Sequence, residues 1–147
     1  MTRFEIAGLA FGAAAALGGL GFLAHRAATQ PEPMERGEFA RIVRQLASDA
    51  RESAHLAALV ADGRVNEHYA RAAHEKLGDD VNDTRKRLEA PPPRGGEEAT
   101  RKADELAQHM KDLLDSVPRE MADASAMRRL QAGQERVAGD LERLLSP

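Results

Sequence analysis

Cysteine and tryptophan are absent from this chain of 147 residues, and its aromatic side chains amount to four Phe and one Tyr. Without cysteine there can be no disulfide, iron–sulfur cluster, thiolate metal site or cysteine nucleophile. Phe11 and Phe22 fall in an N-terminal apolar run, so beyond it Phe39 and Tyr69 stand alone. The interior of the remainder must be built from Leu, Val, Met and Ala. Runs of β-branched and aromatic residues are also missing, which argues against a β fold.

A large excess of one charge is missing too. The formal net charge is −3, and beyond residue 30 it is −4, from 19 Lys+Arg against 23 Asp+Glu. The signs are interleaved, and no face is basic enough to hold a phosphate backbone. Aromatic platforms for stacking bases are lacking, so nucleic acid is not an expected partner.

Catalytic motifs are likewise absent. The chain has no Gly-rich phosphate loop, nucleophile elbow or zinc-protease motif. Gly18, Gly19 and Gly21 lie inside the apolar run rather than between a strand and a helix. Asp79 and Asp80 sit in a charged run that suggests solubility rather than acid–base work. Glu52 and His55 match the Glu-x-x-His spacing of di-iron bundles once, where two copies and two further glutamates are needed. Met110, Met121 and Met127 lie on apolar stripes, but methionines at helical spacing usually fill gaps in an aromatic-poor core. Glu105, His109 and Asp112 share one helix face and are the candidate metal ligands the sequence offers. A solvated face with a capped histidine is the commoner outcome of that spacing. The expectation is a protein that is not an enzyme and carries no cofactor or metal.

What the sequence does contain begins at residues 6–24, a stretch of 19 residues without charge. That is near the ~20 residues a helix needs to cross the hydrocarbon layer. Five Gly and seven Ala make it only modestly hydrophobic, with Ile6, Leu9, Phe11, Leu17, Leu20, Phe22 and Leu23 as its large apolar groups. Cleavage as a signal peptide would place His25 or Arg26 at the −3 position, where small residues are required. We therefore read residues 1–24 as a retained anchor helix. Gly8, Gly12 and Ala16 recur every four residues and form a ridge of small side chains along which a second helix could pack, although a segment this rich in Gly and Ala can contain that pattern by chance. Arg26, Arg36 and Arg41 outnumber Arg3 and the terminal amine, a count that leans toward a cytoplasmic soluble domain without settling its side.

Residues 25–34 form a tether in which Pro31 and Pro33 discourage helix. At ~3 Å per residue it holds the following domain within roughly 30 Å of the bilayer. Residues 35–147 then read as helices near 35–61, 65–90, 97–117 and 119–145. The first stripe runs through Phe39, Val43, Leu46, Ala50, Ser53, Ala57 and Val60, and Gly63 ends it. The second runs through Val65, Tyr69, Ala73, Leu77, Val81, Thr84 and Leu88, with Gly78 as a bend or close contact within it. Prolines and glycines in 90–96 stop that helix. The third stripe is Ala99, Ala103, Leu106, Met110, Leu113 and Val117. Ser116 and Pro118 suggest a new start, after which Met121, Ala124, Met127, Leu130, Gln134, Val137, Leu141 and Leu144 make the fourth. Gln134 is expected at a boundary, with its amide reaching solvent. Opposite charges at Glu67–Arg71, Asp83–Arg87, Glu97–Arg101 and Glu98–Lys102 support the solvated faces.

The fold expected is all-α: a single transmembrane helix followed by an antiparallel bundle of about four helices, with an extended coiled-coil hairpin as the alternative. The function expected is that of a membrane-anchored interaction or accessory subunit docking a partner close to the bilayer. The alternatives are a ligand- or metal-sensing domain signalling through its anchor and a coiled-coil spacer of the cell envelope. The expected partners are the membrane itself and another membrane or membrane-proximal protein, or a second copy of the chain. The location is a membrane, single-pass, with a bacterial inner membrane favoured. The small-residue ridge predicts that Gly12→Ile lowers self-association in a membrane dimerisation assay. Wild-type association of that variant would remove the ridge from consideration.

Overall fold

The computed structural model describes residues 32–146, apart from the side chains of 118–120. The anchor expected at 1–24, its Gly8, Gly12 and Ala16 ridge and most of the tether lie outside the described residues. Among those described, no helix is long and apolar enough to cross a membrane.

Four helices and no strand make up the described chain: α1 (Arg36–Ala61), α2 (Glu67–Lys86), α3 (Glu97–Glu120) and α4 (Ala124–Arg143). Helix α1 ends as its sequence dictates. Gly63 adopts φ 66°, in the left-handed region that costs glycine little. The Gly63 amide donates to the Val60 carbonyl and the Arg64 amide to Leu59, both at 2.9 Å, which satisfies the last carbonyls. Helix α2 starts two residues later than the stripe suggests, because the Asn66 side chain caps it by accepting from the Tyr69 amide at 2.8 Å. It leads into a 3-10 turn, Arg87–Glu89, before the proline-rich loop.

The break between the last two helices is displaced from Pro118. Helix α3 continues through Pro118 to Glu120, and α4 begins at Ala124. Proline there removes the amide that would bond the Leu114 carbonyl, and the helix ends two residues later. Ser116 is not a cap; its hydroxyl donates to the Leu113 carbonyl at 2.7 Å. The cap is Asp123, whose carboxylate accepts from the Ser125 amide at 2.8 Å and the Ala126 amide at 3.2 Å.

Helix α1 packs on α4 and α2, and α3 packs on those same two, with little contact across the diagonal from α1 to α3. The chain thus closes into a four-helix ring rather than a coiled-coil hairpin. Ion pairs show that neighbours run antiparallel. Arg51 meets Glu142 and Asp62 meets Arg128 between α1 and α4. Arg87 meets Glu38 at 3.5 Å, and Arg85 meets Asp104 at 2.6 Å, tying the end of α2 to the starts of α1 and α3. Of the four i,i+4 pairs expected, Glu67–Arg71 (2.6 Å) and Glu98–Lys102 (3.4 Å) form. Asp83 instead takes Lys86, and Arg101 takes Glu98 and Glu105.

The tether is shorter than expected at its C-terminal end. Met34 is buried, and its amide donates to the Pro91 carbonyl at 2.8 Å, so the chain enters the bundle against the α2–α3 loop. The fourth-helix reading also needs correcting at Gln134, which is fully buried; its amide nitrogen donates to the Met110 carbonyl on α3 at 3.3 Å.

Gly78 makes no close contact: a Cβ built there has nothing within 4 Å, and the same holds at Gly139. At Gly133 a Cβ would lie 3.1 Å from Leu113 Cδ1. Gly78→Ala and Gly139→Ala should each stabilise the bundle by about 0.5–1 kcal/mol, because helix interiors penalise glycine. Gly133→Ala should gain less than either. Thermal unfolding, with shifts of about 2–6 °C expected for the first two, checks this ordering.

Candidate functional site

The buried apolar residues fall into two clusters. The larger includes Phe39, Leu46, Leu77, Val81, Met110 and Leu141, and the smaller comprises Ala57, Ala70, Val117, Met121, Met127 and Leu130. Three of the four helices carry a buried polar residue among these apolar positions. On α1, Ser53 stands between Ala50 and Ala57; on α2, His74 between Ala70 and Leu77; on α4, Gln134 between Leu130 and Val137. Each occupies a heptad position where an apolar side chain would continue the core.

This polar layer is incompletely satisfied. The Ser53 hydroxyl, both ring nitrogens of His74 and the Gln134 carbonyl oxygen have no hydrogen-bond partner among the described residues. A buried polar atom without a partner costs about 1–3 kcal/mol. Natural structures retain few of them, and those that persist often mark a ligand, ion or ordered water. Asp49, one turn before Ser53, is also buried. Its Oδ1 accepts from Gln45 Nε2 at 2.8 Å, while Oδ2 is unpartnered.

Burial shifts both ionisable groups toward their neutral forms. It pushes His74 down to about 4, so the imidazole is neutral at pH 7. It raises Asp49, against the Gln45 hydrogen bond, and nearby Asp80 and Glu52 add to the rise. A neutral imidazole offers one donor and one acceptor, with no charge to be solvated.

Three grooves run between neighbouring helices. His74 lines one of about 510 Å³ between α2 and α3, together with Gly78, Asp79 and Leu114. A second, of about 470 Å³, lies between α1 and α2, where Leu56, Leu59 and Val65 line it beside Tyr69. Tyr69 is 59% exposed and is the one large hydrophobic residue so exposed among those described. Glu105 and His109 line a third groove between α3 and α4 with Asp140 and Arg143.

Glu105 is paired with Arg101, Asp112 accepts from Gln108 Nε2 at 2.7 Å, and His109 is exposed. Among the described residues no group of three or more His, Asp or Glu side chains is placed to hold a metal ion. The stripe expected for this helix passes through Tyr69 and Ala73 and omits His74; the helix is rotated so that Ala70, His74, Leu77 and Val81 are the buried residues, with Tyr69 exposed and Ala73 partly buried. Polarity concealed His74, although its 4-3-4 spacing with those neighbours was available as a signal.

His74 makes stability depend on pH with a definite sign. The unfolded chain takes up a proton near 6.5 and the folded chain near 4, so the unfolded state binds more protons in between. Stability therefore falls as pH drops from about 6.5 to 4, by about 3 kcal/mol from this residue. Asp49 acts the opposite way, since acid relieves the cost of its buried charge. Denaturant unfolding from pH 7 to pH 4 should show a steeper loss in the wild type than in His74→Leu. Parallel curves for the two proteins would refute the assignment.

Comparison with protein-family models, curated proteins and solved structures finds no match for this chain.

Proposed function

We propose that the chain is a membrane-anchored helical accessory protein whose bundle docks a partner protein within reach of the bilayer. The observation that carries the reading is Tyr69, exposed over an apolar-walled groove between α1 and α2. Tyrosine is enriched at interface centres because its ring supplies area at low entropic cost and its hydroxyl pairs at the rim. The groove walls are Leu56, Leu59 and Val65, with Glu52, His55 and Arg64 as polar neighbours, the mixture a partner segment would need.

Two further features support the reading. The apolar run at 6–24 suits an anchor, and the chain enters the bundle at Met34, held by Pro91. The Tyr69 groove lies toward the opposite end of α1, a helix of 26 residues and so ~39 Å long. A partner seated there would leave the entry end unobstructed.

The full-length chain carrying a photo-crosslinker at position 69 should give one discrete adduct in native membranes. The same probe with Leu59→Glu should lose it, and deletion of residues 6–24 should release the protein from the membrane fraction. Recovery of uncrosslinked monomer alone would sink the proposal.

A further inference from the structure

We infer that the occupant of the groove between α1 and α2 is the same face of a second copy, two bundles pairing about a two-fold axis. The inference rests on the docking reading above and names the partner at that site.

Shape comes first. An interface between two copies related by a two-fold axis must be its own complement, because one patch meets itself. The α1–α2 face carries both halves of such a fit. Tyr69 projects from it, 59% exposed, beside a groove of about 470 Å³ walled by Leu56, Leu59 and Val65. A knob and a hollow side by side are both satisfied by an exchange, in which the ring of each copy enters the groove of the other. Tyrosine suits that role, since it adds apolar area at low entropic cost and keeps a hydroxyl for the rim.

Charge then selects a second copy over other partners. Among the residues lining the groove, Glu52 is the one acid and Arg64 the one Lys or Arg. They stand at opposite ends. Glu52 lies seven residues before Leu59 on α1, about 10 Å along the helix, and Arg64 lies past the end of α1 in the turn before α2. Both are exposed, and neither forms an ion pair among the described residues. The charges around them are committed within the chain: Arg51 to Glu142, Asp62 to Arg128, Glu67 to Arg71 and Lys76 to Asp80. What is left is one unpaired charge of each sign at the two ends of an apolar strip. A two-fold axis through the middle of that strip turns it end for end. Glu52 of one copy then meets the partner's Arg64, and the symmetry repeats the pair. A uniformly acidic or basic segment would instead meet like charge at one end. The same rotation sends the two Met34 entry points to opposite ends of the pair, clear of the interface.

The full-length chain, purified in detergent micelles with a photo-crosslinker at position 69, tests the inference with no other protein present. An adduct of twice the chain mass is expected. Glu52→Arg and Arg64→Glu each place like charges at both symmetric contacts, so each alone should lower the adduct yield tenfold or more. In an equal mixture these two variants present Arg to Glu at both contacts, and the yield should return to within twofold of the unreversed chain. Both side chains are exposed and unpaired, so the variants should keep the parent's helical circular dichroism. Monomer alone from the purified chain would overturn the inference, as would a two-chain adduct that neither reversal lowers or that mixing fails to restore. An adduct of another mass in native membranes, with monomer alone from the purified chain, would overturn the second copy and leave the docking reading standing. Monomer in both preparations would remove the two together.

Discussion

Scarcity of large side chains is the constraint on which this bundle depends. With Phe39 as its one buried aromatic among the described residues, the core gains area by bringing backbones close. Helix α1 turns Ala47, Ala50, Ala54 and Ala57 inward, and α4 buries Ala126 and Ala138. These two helices share the most extensive interface in the ring. Small residues allow that approach, and dispersion contacts along the seam replace the area that aromatics would have supplied. Helix α2 has no such seam. It buries Leu77 and Val81 as its large aliphatics, with Leu88 added by the 3-10 turn. Grooves consequently open along both of its sides.

The polar layer belongs to the same economy of side chains. Ser53, His74 and Gln134 take heptad positions in which Leu or Ile would add to stability, and each leaves an atom unpaired. The bond from Gln134 to the Met110 carbonyl on α3 satisfies the amide nitrogen and leaves the side-chain oxygen without a partner among the described residues. Surface ion pairs do not offset such costs, because exposed pairs contribute about 0–1 kcal/mol each. Stability rests on the two apolar clusters on either side of the layer.

Much of this arrangement is legible in the residues, and the departures have common causes. The heptad stripe of α1 names Phe39, Val43, Leu46, Ala50, Ser53 and Ala57, which are buried, and Val60, which is partly buried. It omits Ile42, Ala47 and Ala54, because a helix with two neighbours in a ring buries a wider arc than a two-stranded seam. On α3 the stripe is offset for the same reason: Ala103, Met110 and Val117 are buried as expected, while Ala107 and Leu114 take places assigned to Leu106 and Leu113. On α2, Tyr69 attracts a core assignment by its size, yet Asn66 caps the helix so that Tyr69 faces outward and Ala70 inward. That rotation by one residue moves His74 inside. Glu105, His109 and Asp112 do share a face, but Arg101 and Gln108 already occupy the two carboxylates.

Helix α2 is where these consequences converge. Its ends are fixed by polar bonds: the Asn66 cap at one, and Arg85–Asp104 with Arg87–Glu38 at the other. Its exit leads into the loop whose Pro91 carbonyl receives the Met34 amide, so the entry of the chain and the end of α2 share one backbone connection. Between those ends, from His74 to Asn82, the helix borders the groove on one side and buries Leu77 and Val81 in the larger cluster on the other. The middle of α2 therefore supplies both of the helix's large buried aliphatics and, beside them, an imidazole whose ring nitrogens have no partner among the described residues.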